Sequence, residues 1–108
     1  MPVTKNPGET VTVNVVVENT GNVSMDLVTS ANVVGLVDLG SQSFTLGAFQ
    51  QTTLTFQGTI PSNASPGDYD VYVELRDSAG NLLDSVTLPG EVTIPAITGA
   101  RIVSVTVS

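Results

Sequence analysis

The stretch Thr10-Val11-Thr12-Val13-Asn14-Val15-Val16-Val17-Glu18 decides the fold. Val11, Val13, Val15 and Val17 recur at every second position, with Thr10, Thr12, Asn14 and Glu18 on the alternate positions and Val16 as the exception. A period of two sends successive side chains to opposite faces of a strand, so this segment carries one apolar and one polar face. Its β-branched residues suit the pleated, half-buried surface of a sheet. Asn6-Pro7-Gly8-Glu9 precedes it and Asn19-Thr20-Gly21-Asn22 follows it. Both are turn sequences, because proline presets φ while glycine and asparagine tolerate positive φ.

Outward from this strand the same grammar repeats. A second apolar alternation begins at Val23, Met25 and Leu27, and Val33 to Leu39 reads as a shorter, less regular strand. Phe44 and Leu46 precede Gly47; Leu54, Phe56 and Ile60 then alternate with Thr53, Thr55, Gln57 and Thr59, which predicts a strand over 51–60 stopped by Pro61. After a loop over 61–67, Tyr69, Val71, Val73 and Leu75 form an inward row, with Asp68, Asp70, Tyr72, Glu74 and Arg76 facing outward. Asp77 to Asn81 is a turn, and Leu82–Leu88 with Val92–Ile94 reads as one strand interrupted at Pro89-Gly90.

Strands recurring about every 10–12 residues, with no segment of helical period, predict an all-β chain: an immunoglobulin-like Greek-key β-sandwich of seven or eight strands. The sandwich is expected over 1–95, with 96–108 as a linker and C-terminal strand. Its core is expected to hold Val13, Val15, Val17, Leu27, Leu54, Phe56, Tyr69, Val71, Val73 and Leu75.

Composition narrows the function classes. The 108 residues fit one core. Without cysteine there is neither a disulfide framework nor a thiolate metal site, and without histidine the usual general base near neutral pH and the commonest zinc ligand are missing. No cofactor and no enzymatic activity are expected. Ten acidic against three basic residues give a net charge of −7, the wrong sign for nucleic acid or anionic lipid. No apolar run approaches the length of a membrane span.

The strings Pro7-Gly8-Glu9-Thr10-Val11-Thr12-Val13, Val17-Glu18-Asn19-Thr20-Gly21-Asn22, Ile60-Pro61 and Pro66-Gly67-Asp68-Tyr69-Asp70-Val71 resemble the immunoglobulin-like modules of prokaryotic surface and secreted proteins, of the CARDB-type and NEW3-type families. The resemblance covers most of 7–94 and implies an extracellular or cell-surface module in an adhesive or spacer role, often in tandem. Such modules open with an apolar-x-apolar-x-apolar strand ahead of the Pro-Gly-Glu turn, and here only Pro2 to Lys5 stands there. At the other end Arg101-Ile102-Val103-Ser104-Val105-Thr106-Val107-Ser108 has the pattern of that first strand. The expectation is a sandwich whose first strand is supplied by the C-terminal segment, with Ile102, Val103, Val105 and Val107 as the interface of a strand donated to a neighbouring copy. Two further readings of the segment are a last edge strand of its own domain and the opening strand of a following one.

Other candidate chemistry is thinner. Asp68 and Asp70 share a strand face with Cα atoms roughly 6.5–7 Å apart, which touches the spacing of inverting glycosidases, but no cleft or aromatic platform accompanies them. For calcium, Asp68 and Asp70 are the candidates, with Glu74, Asp77 and Asp84 near loops; no loop has the dense Asp-x-Asp-x-Asp-Gly spacing, so no metal site is assigned. Asn22-Val23-Ser24 and Asn63-Ala64-Ser65 are glycosylation sequons in turns, which makes Asn22 and Asn63 possible glycan carriers. The partner expected is the chain itself, as a head-to-tail oligomer or tandem repeat, with surface glycans as a further partner class. The alternative is an accessory carbohydrate- or protein-binding module of a secreted multidomain protein.

Overall fold

Turns cut the chain where the alternation lapses, and seven strands result in the computed structural model, which describes residues 2–108. They are β1 (Val3–Thr4), β2 (Thr10–Glu18), β3 (Met25–Val33), β4 (Val37–Leu46), β5 (Gln51–Thr59), β6 (Gly67–Asp77) and β7 (Leu82–Ile94). No helix occurs among the described residues. The strands form two sheets, one of order β1-β7-β6-β3-β4 and one of order β2-β5. The chain is an all-β sandwich of immunoglobulin-like arrangement.

The inward rows meet where the periodicity places them. Leu27, Leu54, Phe56, Val71 and Val17 are buried, joined by Val11, Val33, Ile60, Val92 and Ile94. Val13, Val15, Tyr69, Val73 and Leu75 pack against this core but stay partly exposed. Near the start of β6 the Tyr69 hydroxyl donates to the Ser65 carbonyl at 2.6 Å, fastening the preceding loop to the sheet as a tyrosine corner does.

Two sequence expectations are corrected. Val33 to Leu39 is not a strand of its own: Val33 ends β3, the Leu36 N–H donates to the Val33 carbonyl, and β4 returns with Val33 opposite Val37. Apolar residues on both sides of the Gly35 turn disguised a hairpin as a continuous run. The second correction is that Pro2 to Lys5 is not without a strand. Val3 and Thr4 pair in parallel with Val92 and Thr93, and the Lys5 N–H donates to the Thr93 carbonyl.

The Pro89-Gly90 interruption is a bulge inside a continuous β7. Tyr69 opposes Val92 and Val71 opposes Leu88, so β7 spends extra residues where β6 spends two. Gly90 has φ 59, a conformation that a side chain disfavours.

The two flanks of the sandwich differ. On one, β4 and β5 approach so closely that a Cβ at Gly58 would lie 2.6 Å from Leu39 Cδ2. On the other, among the described residues, β2 pairs with β5 alone and the outer edge of β7 pairs with β1 at Val92 and Thr93. Beyond Ile94 the chain forms no strand and is exposed from Ala96 to Ser108. The molecule measures 79 × 28 × 19 Å. Its longest strand, with 13 residues, spans only ~43 Å, so the terminal segment projects beyond the sandwich along its long axis.

Candidate functional site

The open flank is a groove between the free edge of β2 and the free edge of β7 over Leu82–Leu88. Its β2 wall carries Val15 and Val17 in the inward row and Val16 outside. Its other wall follows from register: Asp84, Val86 and Leu88 stand opposite Leu75, Val73 and Val71 of β6, so they share the inward face. Inward residues of a complete sandwich are covered, yet Val86 is 50% and Leu88 42% exposed. The depression lined by Val15, Val17, Val73, Leu75 and Val86 has a volume of about 280 Å³. It is continuous, through Glu18, Leu75 and Asp84, with a second one reaching Leu83 and Asn19 at the end of the sandwich.

The groove is graded along its length. At the Thr10 end of β2 the neighbouring inward residues are the buried Val11, Val71 and Val92. At the Glu18 end the walls bring in two carboxylates, Glu18 and Asp84. Asp84 accepts a hydrogen bond from the neighbouring Ser85 N–H. On the groove floor Thr29 is 0% exposed and its Oγ1 has no partner among the described residues. Thr29 is opposite Leu75, which is opposite Asp84, so the three lie on one transverse row.

The residues expected to donate a strand are separate from this groove in the same chain. Val103, Val105 and Val107 are 85, 76 and 94% exposed, Ile102 is likewise exposed, and none pairs with a strand. The sequence reading expected a groove from an absent first strand, whereas a short β1 is present; Asp84, Val86 and Thr29 were not singled out as lining of the open flank. The alternation Asp84-Ser85-Val86-Thr87-Leu88 carried the signal, masked by the hydrophobic pair Leu82-Leu83 ahead of it.

The carboxylates weighed for calcium or sugar chemistry have other partners. Asp68 accepts from the Thr93 hydroxyl at 2.8 Å, and Asp70 accepts from the Gly90 N–H at 2.8 Å, holding the β7 bulge. Asp77 accepts from the N–H groups of Ala79 and Asn81 and from the Asn81 amide, which depresses its pKa. The Arg76 guanidinium, donating to Glu74, depresses that carboxyl as well, and Tyr72 and Ser30 add hydrogen bonds. No group of three metal-ligating side chains occurs among the described residues. The calcium candidates therefore do not converge. Tyr72 borders a polar recess with Ser30, Asn32, Asp38 and Glu74. Asn22 and Asn63 lie exposed in turns, as a glycan would require.

No family model matches the chain, and no curated protein sequence matches it. Among solved structures, it is similar to the sporulation control protein Spo0M from Bacillus subtilis, at 17% identity and a TM-score of 0.61, over 87% of this chain and 46% of that one. It is also similar to a family 123 glycoside hydrolase from Clostridium perfringens, at 13% identity and a TM-score of 0.53, over 92% of this chain and 24% of that one. The chain thus spans less than half the length of either protein, and the likeness is one of fold.

Proposed function

We propose that this chain is a structural, adhesive β-sandwich module of the cell surface that assembles head to tail by donor-strand exchange. Residues 101–108 of one copy fill the groove between β2 and β7 of the next. The observation that supports this most directly is the groove itself, whose inward residues Val86 and Leu88 lie half-exposed between two unpaired strand edges. An unpaired edge beside an apolar channel is a template for an added strand, with backbone hydrogen bonds for affinity and alternate side chains for specificity. The terminal segment offers that pattern, with Val103, Val105 and Val107 on one row and Ser104, Thr106 and Ser108 on the other.

Closure within one subunit is disfavoured by reach. The segment leaves beyond Ile94, at the Thr10 end of the groove, and a strand in the first-strand direction starts at the Glu18 end. The six residues 95–100 extend at most ~20 Å, against ~30 Å for the nine-residue length of β2. A neighbouring copy is the occupant that the projecting segment meets. Because donor and groove are different surfaces, the contact is heterologous and propagates.

The test is molar mass across concentration for the intact chain, for Val105→Asp and for a chain ending at Ile94. Concentration-dependent polymer from the intact chain alone supports the reading, since an aspartate in an apolar groove leaves an unpaired charge. Three monodisperse monomers of equal stability reject it. The second reading, an accessory carbohydrate-binding module, rests on the recess beside Tyr72, where Asn32 Oδ1 is buried without a partner. Saturable binding of an oligosaccharide, lost in Tyr72→Ala, would favour it.

A further inference from the structure

We infer that Arg101 of the donor strand docks against Asp84 of the acceptor, beside Glu18 at the groove rim, and that this contact sets the strand's direction and with it the open, polar form of the assembly. The inference rests on the donor-strand reading above.

Side-chain parity comes first. In an extended segment Arg101 belongs to the same row as Val103, Val105 and Val107, so a strand that buries the valines also turns its guanidinium into the groove. At the groove's Glu18 end stands Asp84, on the inward row of β7, while Glu18, on the outward row of β2 with Val16, borders the rim. On the floor, level with Asp84, the buried Thr29 hydroxyl lacks a partner among the described residues. A guanidinium brings five N–H donors and no acceptor to that end, which suits the inward Asp84 carboxylate with Glu18 at the rim. Of the other two basic residues, Arg76 is engaged with Glu74, and Lys5 lies beyond β1 near Thr93, at the opposite end.

Direction follows. With Arg101 at the Glu18 end, the strand runs antiparallel to β2 and parallel to β7, and its last residues arrive just ahead of β1, which already lies parallel to β7. In the reverse direction Arg101 would enter among Val11, Val71 and Val92, all buried and apolar, where an uncompensated charge is costly. The two directions give different assemblies. The segment leaves each subunit at the Ile94 pole. Entry at the Glu18 pole of the neighbour sets every subunit facing the same way, which propagates as a filament. Entry at the Ile94 pole would set two subunits pole to pole, each within reach of the other's segment, which closes as a reciprocal dimer.

The experiment uses the full chain and reads molar mass and the concentration needed for assembly. Arg101→Glu, in the exposed terminal segment, leaves the sandwich intact and is expected to raise that concentration at least about tenfold, equivalent to about 1.4 kcal/mol. Asp84→Arg, on an exposed edge, is expected to do the same, and the combined charge exchange to recover most of the loss. Arg101→Glu that polymerises like the parent, while Val105→Asp does not, overturns the Arg101 contact and leaves strand exchange standing. Conversion of the parent's product to closed dimers by neither single variant, together with an unrecovered double variant, also counts against it. Polymer from Val105→Asp, or a parent chain monomeric at all concentrations, overturns the underlying reading and this one with it.

Discussion

The side-chain amide of Asn19 donates to the Leu46 carbonyl at 3.1 Å, joining the residue just after β2 to the last residue of β4 across the end of the sandwich. The same amide donates to the Val23 carbonyl, and Asn19 Oδ1 accepts from the Gly21 N–H. All of this occurs at a residue only 3% exposed. Asn19→Ala would strand the buried Leu46 carbonyl as well as remove the bonds, and is expected to cost about 1–3 kcal/mol in a denaturant titration. A change below about 0.5 kcal/mol would mean that water replaces the amide.

Phe56 is among the most buried side chains of the chain. Phe56→Ala should cost about 3–5 kcal/mol, the range of a truncated core aromatic. A loss under about 1 kcal/mol would mean that β5 is read one residue out, because a single slip exchanges its two faces.

The turn between β6 and β7 is predicted to be acid-sensitive. Asp77 is held below the ordinary aspartate pKa, first by the Asn81 amide and then by backbone N–H groups. A carboxyl whose folded pKa is depressed contributes stability that is present above its unfolded pKa and lost as pH falls through the folded value. Asp77→Ala should therefore lower Tm near neutral pH, and the gap from the parent should close as pH drops below the ordinary aspartate range. A gap independent of pH would show that shape, not charge, maintains the turn.

The alternation of Val11 to Val17 and Tyr69 to Leu75 made two strands and part of the core legible, because period two is a direct imprint of a half-buried sheet; of those rows Val11, Val17 and Val71 are buried. The β3–β4 hairpin was not legible, since Val33, Val34, Leu36 and Val37 look alike in sequence whether they continue or reverse. Long-range pairing was legible only as a class. That Asp84 would stand level with Thr29, two strands away, depends on the register of β3 on β6 and of β6 on β7. Asp68 and Asp70 appeared as free carboxylates because their partners, Thr93 and Gly90, are 25 and 20 residues away.

Moving residues 99–108 from the end of the chain to a position ahead of Pro2 should produce a self-complemented subunit. The transplanted strand would run parallel to β7 into β1 and cover Val86 and Leu88 of its own groove. The expected product is monomeric at every concentration and more stable than a chain ending at Ile94. Each net 1 kcal/mol gained should raise Tm by about 4–8 °C. A transplanted chain with the Tm of the truncated one would reject the groove as the site of that strand.

The terminal segment leaves the sandwich along its 79 Å axis, roughly in line with the strands. In a polymer of the proposed kind, tension applied to the ends is carried through this segment into the next subunit parallel to β2 and β7. The hydrogen bonds of a β ladder lie across the strands, so such a pull strains the whole row of them together instead of opening them one after another. In such a polymer the linker 95–100 would extend first, and the joint beyond it would resist as a sheared ladder.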